Sequence, residues 1–181
     1  LFCDDHDITS LTKSNFLSRE SRQFHWINEN YTSFTEYLDS FSSKKRKNIS
    51  RERRRIQDFG VNMEWIHGVN ISEEILDFFF ACYTQTISEH RSYLYLNKEF
   101  FRRLFETMPE FIQILVARRH GQLVASALFL RGSNSLFGRY WGALEYIPDL
   151  HFEVCYYAPI KYCIDHKIKR FEAGAQGEHK L

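Results

Sequence analysis

The chain has 181 residues, 24 Lys+Arg against 23 Asp+Glu, and 44% hydrophobic residues. That suits one domain with a real core and no need of a disulfide or metal staple. Plentiful Leu, Ile, Val and Phe exclude disorder as the dominant state, and eight Gly and three Pro exclude collagen-like and low-complexity classes.

No apolar run reaches the roughly 18–20 residues of a membrane span, and nothing at the start reads as a signal peptide. Cys3, Cys82, Cys155 and Cys163 are scattered with no CxxC pair, which suits reduced thiols in a cytoplasmic protein. His151 and Cys155 are four apart, but no second ligand pair stands at zinc spacing, so no metal is expected.

In chain order, residues 1–30 read as a lead-in or the remnant of a preceding domain. The polar, aperiodic stretch 1–23 is expected to lack order, and Phe24–Ile27 can form a short strand. Ser33 and Glu36 have the spacing of a capping box, so a helix starts there. Its apolar stripe is Phe34, Leu38, Phe41, Ile49, Ile56 and Phe59. Ser40–Ser43 can divide it in two, and Gly60 ends it. Val61–Ile66 alternates as a strand with Val61, Met63 and Trp65 on one face. Ser72 caps a helix reaching about His90. Asn97 caps another whose buried face is Phe100, Phe101, Leu104, Phe105 and Met108. Phe111–Arg118, Gln122–Leu130 and Ser135–Trp141 follow as an antiparallel meander with short joints. A helix covers Phe152–His166, kinked at Pro159 or beginning there. Arg170–Ala173 closes as a buried strand.

The class is therefore α/β, with a mixed sheet and the order β-α-α-β-β-β-α-β after a basic N-terminal helix. This is the order of the GNAT-like acyltransferase fold. The chain starts at Leu1 and stops just past a strand, so the module at 31–181 reads as a piece of a longer polypeptide lacking its C-terminal end.

Residues 44–55 hold eight Lys/Arg and one Glu, a local charge of +7 that leaves about −6 for the remainder. Such asymmetry points to an anionic partner. Lys44, Lys45, Lys47, Arg51 and Arg55 are the candidate polyanion-binding residues, facing tRNA phosphates, a lipid-linked pyrophosphate or an anionic membrane surface. The alternative is a solvated helix face.

Two stretches carry a more specific signal. One is the basic run Ser43–Arg55 leading to Gly60-Val61. The other is Gly138-Arg139-Tyr140-Trp141-Gly142, then His151–Tyr157, then Phe171–Lys180. Together they resemble the FemAB-like group of predicted N-acyltransferases, tied to peptidoglycan biosynthesis or recognition. The resemblance implies a GNAT-related fold and transfer of an acyl or aminoacyl group to an amine, with aminoacyl-tRNA or acyl-CoA as donor and no tightly bound cofactor. One departure counts against acyl-CoA. Where CoA-dependent relatives have a Gly-rich phosphate turn, Gly142–His151 has one Gly, a Pro and two carboxylates.

Acyl transfer to an amine needs a proton acceptor, an oxyanion donor and a means of holding two substrates. The catalytic candidates are Glu172, His151, Glu153 and Tyr156. Glu172 sits in an expected buried strand, where the alternative is an ion pair with Arg139 or a Lys. Glu153 can instead complement a helix dipole, and Tyr156 can be core packing. Alternation puts Arg139 and Trp141 on one face, so an Arg stacked on Trp can bind an anionic substrate group or simply pack. Gln176, Glu178, His179 and Lys180 follow the strand in a Gly-containing turn and complete the substrate-binding candidates.

Overall fold

The computed structural model describes residues 5–18 and 23–174. The chain divides into two units, Leu1–Phe24 with Ala175–Leu181, and His25–Gly174. In the first, residues 5–13 are helical, where the sequence suggested no order: α1 (Asp5–Lys13) buries no residue. Asp5 and Asp7 in its first turn and Lys13 in its last complement the dipole. Helix formation here follows local electrostatics and leaves no apolar period to read.

In the second unit the capping signals hold. Ser33 accepts from the Glu36 N–H and starts α2 (Phe34–Asp39). The Glu36 carboxylate accepts from the Thr32 N–H and hydroxyl, both 2.7 Å away, one residue before the cap. Ser42 caps α3 (Ser43–Asp58), so the serine run does divide the helix. Gly60, at φ +71°, ends it in a conformation that favours glycine, with His120 packed where a Cβ would sit. Short strand β1 (His25–Ile27) precedes these helices, and β2 (Val61–His67) follows them. Ser72 and Asn97 cap α4 (Glu73–Glu89) and α5 (Lys98–Thr107).

The meander is β3 (Ile112–Arg119), β4 (Gln122–Arg131) and β5 (Ser135–Ala143). Next come α6 (Leu150–Phe152), a π-helical turn over Glu153–Tyr157, and α7 (Ala158–Asp165). The helix thus neither begins nor breaks at Pro159. The Ala158 N–H reaches back five residues to the Glu153 carbonyl, and Pro159, with no N–H to give, follows directly. Strand β6 (Arg170–Glu172) closes the unit.

The sheet runs β1-β6-β5-β4-β3-β2, all antiparallel except the parallel pair β5–β6. This is the mixed α/β arrangement expected. Strand alternation sends Leu115, Ala127, Phe129 and Phe171 to a core shared with α2, α3 and α6–α7. It sends Ile114, Val116 and Leu128 to a second core under α4 and α5. On α5 only Phe101 and Phe105 are buried. Phe100 and Met108, expected on the same face, are exposed, because a ten-residue helix meets this core along one narrow line. Among the described residues no helix is long and apolar enough to cross a membrane.

Candidate functional site

Among the described residues, strands β5 and β6 pair over Ser135–Phe137 and Arg170–Glu172. Beyond that point β5 runs on to Ala143, still paired with β4 on its other side. The β4–β5 register slips between Leu128 and Phe129, leaving Arg139 as an extra bulged residue. The bulge resets the alternation. Tyr140 now faces the α4–α5 core, and Trp141 and Ala143 face α3 and α6. Helix α4 fastens this half of β5. A Cβ on Gly142 would lie 2.0 Å from the Cys82 carbonyl oxygen, and the Thr86 hydroxyl donates to the Trp141 carbonyl at 2.8 Å.

A cleft of about 470 Å³ opens at this end of β5. Its lining includes Arg55, Trp141, Tyr146, Asp149, His151 and Phe152. The His151 ring meets Trp141 edge-on at 5.3 Å, and Tyr156 at 5.7 Å. Asp149 stands at φ +65° just before α6, with Arg55 Nη1 donating to its Oδ2 at 2.7 Å. Arg119 donates to Glu145 and, from Nε, to the Phe59 carbonyl at 3.2 Å. The two loop carboxylates that weaken a phosphate cradle are thus each held by an arginine.

Beneath the cleft, Glu153 is 4% exposed and accepts from Arg53 Nε at both oxygens, Oε2 at 2.9 Å and Oε1 at 3.2 Å, and from Nη2 at Oε1, 3.0 Å. The guanidinium lies over the Phe34 ring at 4.4 Å. Glu153 therefore sits in a buried ion pair, where the sequence suggested a base or a dipole partner. One turn on, the Tyr157 hydroxyl donates to Glu52 at 2.5 Å. Burial and then that bond push the Tyr157 phenol well above its usual range. Burial, followed by the neighbouring Cys155, pushes Tyr156 up to about 12. Both phenols are donors at neutral pH.

Glu172 is buried as expected, with Arg170 Nη2 at 3.3 Å and His25 Nε2 at 3.9 Å. Phe171 points into the core beneath α6–α7, so alternation along β6 turns Glu172 to the other face of the sheet. Glu172 thus lies on the opposite face of the sheet from His151 and Glu153. Arg139 does not stack on Trp141. The bulge leaves it exposed, 5.4 Å over the Phe137 ring and donating to the Gly138 carbonyl at 3.0 Å. Gln176, Glu178, His179 and Lys180 lie outside the described residues.

On α3, Lys45 sits 4.8 Å from the Phe41 ring centroid, while Lys44, Lys47 and Arg51 are exposed. Arg53, Glu52 and Arg119 are site residues that sequence reasoning passed over. Arg53 did carry a signal. It falls between Ile49 and Ile56 on the buried side of α3, where a cation needs a carboxylate partner.

Among the described residues no group of three or more His, Cys, Asp or Glu side chains could hold a metal ion. Cys82 and Cys163 are free thiols. Burial pushes the Cys82 thiol up to about 11 and that of Cys163 up to about 12, so neither is a thiolate nucleophile at neutral pH.

A family model for FemAB-like proteins, described as peptidoglycan biosynthesis/recognition, matches residues 1–181. Among solved structures, FemX is 12% identical with a TM-score of 0.65, the match covering 95% of this chain and 60% of that one. L-PGS from Bacillus licheniformis is 11% identical with a TM-score of 0.57, covering 97% and 60%. The C-terminal domain of a putative lysylphosphatidylglycerol synthetase from Agrobacterium fabrum is 12% identical with a TM-score of 0.58, covering 79% and 46%. At such identities the likeness is one of fold, and the chain spans between 46% and 60% of the length of these solved chains. No curated protein sequence matches the chain.

Proposed function

The chain belongs to the FemAB-like family, and on that premise we propose that it transfers an aminoacyl group from an activated ester to an amine, in modification of a cell-wall precursor or a lipid. The observation that carries this reading is the cleft at the Ala143 end of β5, where Trp141, His151 and Arg55 converge. The family description and the fold shared with FemX and lysylphosphatidylglycerol synthetase support it.

In this reading the acceptor amine attacks the ester carbonyl. A C–N bond forms, the ester C–O bond breaks, and one proton passes from the amine to the leaving alcohol. Among the three candidate bases, His151 is assigned the relay. It lines the cleft, and an imidazole is the side-chain type suited to taking and giving a proton near neutral pH, whereas Glu153 and Glu172 sit against arginines. Tyr156, kept protonated by burial and in ring contact with His151, supplies a hydrogen bond to the developing oxyanion or the leaving oxygen. Arg55 orients an anionic group of donor or acceptor by exchanging Asp149 for it, and Trp141 forms the apolar wall. Arg53 and Glu153 act as positioning residues by pinning α3 to the π-helical turn. Arg139, Gln176, Glu178, His179 and Lys180 complete the substrate-facing set, and Lys44, Lys45, Lys47 and Arg51 meet a phosphate-bearing part of the substrates. The protein acts in the cytoplasm, with no tightly bound cofactor.

Aminoacyl-tRNA is the proposed donor and acyl-CoA the alternative, because loop 144–149 places carboxylates where a pyrophosphate would bind. Calorimetric titration of the full-length protein with acetyl-CoA, a longer acyl-CoA and charged tRNA tests this. Micromolar binding of the tRNA alone is expected. Micromolar binding of either CoA ester would make CoA the donor. A second reading, a non-catalytic module that binds RNA or a cell-wall precursor through α3, is favoured by the ion pairing of both buried glutamates. It predicts binding with a steep salt slope and no turnover.

A further inference from the structure

The eight cations of residues 44–55 are not equivalent once folded. Arg53 is paired with Glu153, Arg46 with Asp39 and Arg55 with Asp149, and Lys45 lies over Phe41. Lys44, Lys47, Arg51 and Arg54 remain. All four are exposed, and none meets a carboxylate among the described residues. At about 100° per residue they fall within an arc of roughly 80°, opposite Ile49 and Ile56, along about 15 Å of helix. Glu52 is turned away to Tyr157, so the one acid in line with them is the exposed Asp58, at the far end.

The last turn of α3 adjoins loop 144–149 through two ties. Arg55 bonds Asp149, and Arg119 bridges the Phe59 carbonyl to Glu145. That loop displays Leu144, 52% exposed, and Tyr146, 89% exposed. An aliphatic side chain and a phenol thus stand bare beside a row of cations that meet no carboxylate among the described residues, Arg51 bonding only the Asn48 amide oxygen at 3.3 Å.

We infer that the outer stripe of α3, with Leu144 and Tyr146 beside it, is a docking surface for an anionic lipid bilayer. Clustered Lys and Arg are drawn to the negative surface potential of such a membrane. Leu and Tyr at the rim suit the boundary between headgroups and acyl chains. A nucleic acid fits less well. No aromatic side chain is interleaved with the four cations along α3, and Leu144 next to Tyr146 is an aliphatic group that suits an acyl chain rather than a base. Docking would hold the cleft mouth at the membrane, where Arg55 and Tyr146 meet an acceptor carried in the bilayer. This placement rests on the transfer reading above, but the docking itself is measured without substrate, so the two fail separately.

The test is co-sedimentation of the full-length protein with vesicles of phosphatidylcholine alone and of phosphatidylcholine mixed with phosphatidylglycerol. Binding to the mixed vesicles is expected to be about tenfold tighter or more, and to weaken as salt screens the surface charge. The triple variant Lys44→Glu/Lys47→Glu/Arg51→Glu, all at exposed positions, should abolish the preference. Leu144→Ser/Tyr146→Ser should weaken binding to mixed vesicles severalfold while leaving their preference over neutral ones. Equal binding to both vesicle types, or a preference that survives the triple charge reversal, would overturn the proposal. So would stripe-dependent binding of an RNA hairpin by a protein that ignores both kinds of vesicle.

Discussion

Glu153 and Glu172 are both buried, and each stands within a word of sequence that marks the family. The first lies on the face of the sheet covered by α3 and α6–α7. It receives a two-pronged bond from Arg53, itself only 27% exposed. The second lies on the opposite face, against an Arg170 that is 43% exposed and a His25 at 3.9 Å. The difference teaches that a buried carboxylate is not thereby a base. One is a structural link beneath the cleft. The other meets Arg170 and His25 on the opposite face, while among the described residues Trp141, His151 and Arg55 gather at the cleft on the first.

The contrast can be broken most forcefully at Arg53. Removing either partner of a buried pair leaves an unpaired charge at a cost of about 3–5 kcal/mol, or roughly 10 °C in melting temperature for a domain of this size. Arg53→Ala and Glu153→Ala should each show that loss in thermal unfolding, and the double variant Arg53→Met/Glu153→Leu should recover most of it. Next in size is His151→Asn. It should lower turnover about 10²–10⁴-fold and remove the acidic limb of the pH–rate profile, while the melting temperature stays close to that of the parent.

The two faces should also separate in alkali. Cys163 lies in the core beneath α6–α7, and Cys82 on the α4 side. Both thiols are raised by burial, to about 12 and about 11. The native state therefore holds each proton more tightly than the unfolded chain does. That stability is complete below a thiol's ordinary pKa, about 8.5, and is lost as pH rises through the folded values. The melting temperature should fall between about pH 9 and pH 12; Cys82→Ala and Cys163→Ala should flatten that fall about equally up to about pH 11, and only Cys163→Ala should flatten it between about pH 11 and 12. The smallest effect belongs to Glu172→Gln. With a partly exposed partner it should cost about 1 kcal/mol or less and leave turnover within a few fold.

Much of the fold is legible in local chemistry. The caps at Ser33, Ser72 and Asn97, the stop at Gly60 and the meander are written in side chains that act within a few residues. Of the candidate site, His151, Trp141 and Arg55 stand out by residue type, and the structure brings them to one cleft. What is not legible is set by register and distance. The bulge at Arg139 has no signal of its own, yet it decides that Trp141 faces His151 and that Arg139 stacks on Phe137. Arg53 and Glu153 lie 100 residues apart, so their pairing depends on the packing of α3 against the π-helical turn.

The central claim is that transfer occurs on the cleft face. It is tested most directly by following a radiolabelled aminoacyl group from tRNA to a lysine-containing peptidoglycan precursor with the full-length protein and its variants. The account predicts product from the parent and from Glu172→Gln, and almost none from His151→Asn. Product from His151→Asn at the parent's rate, with loss in Glu172→Gln, would move the chemistry to the other face and contradict it.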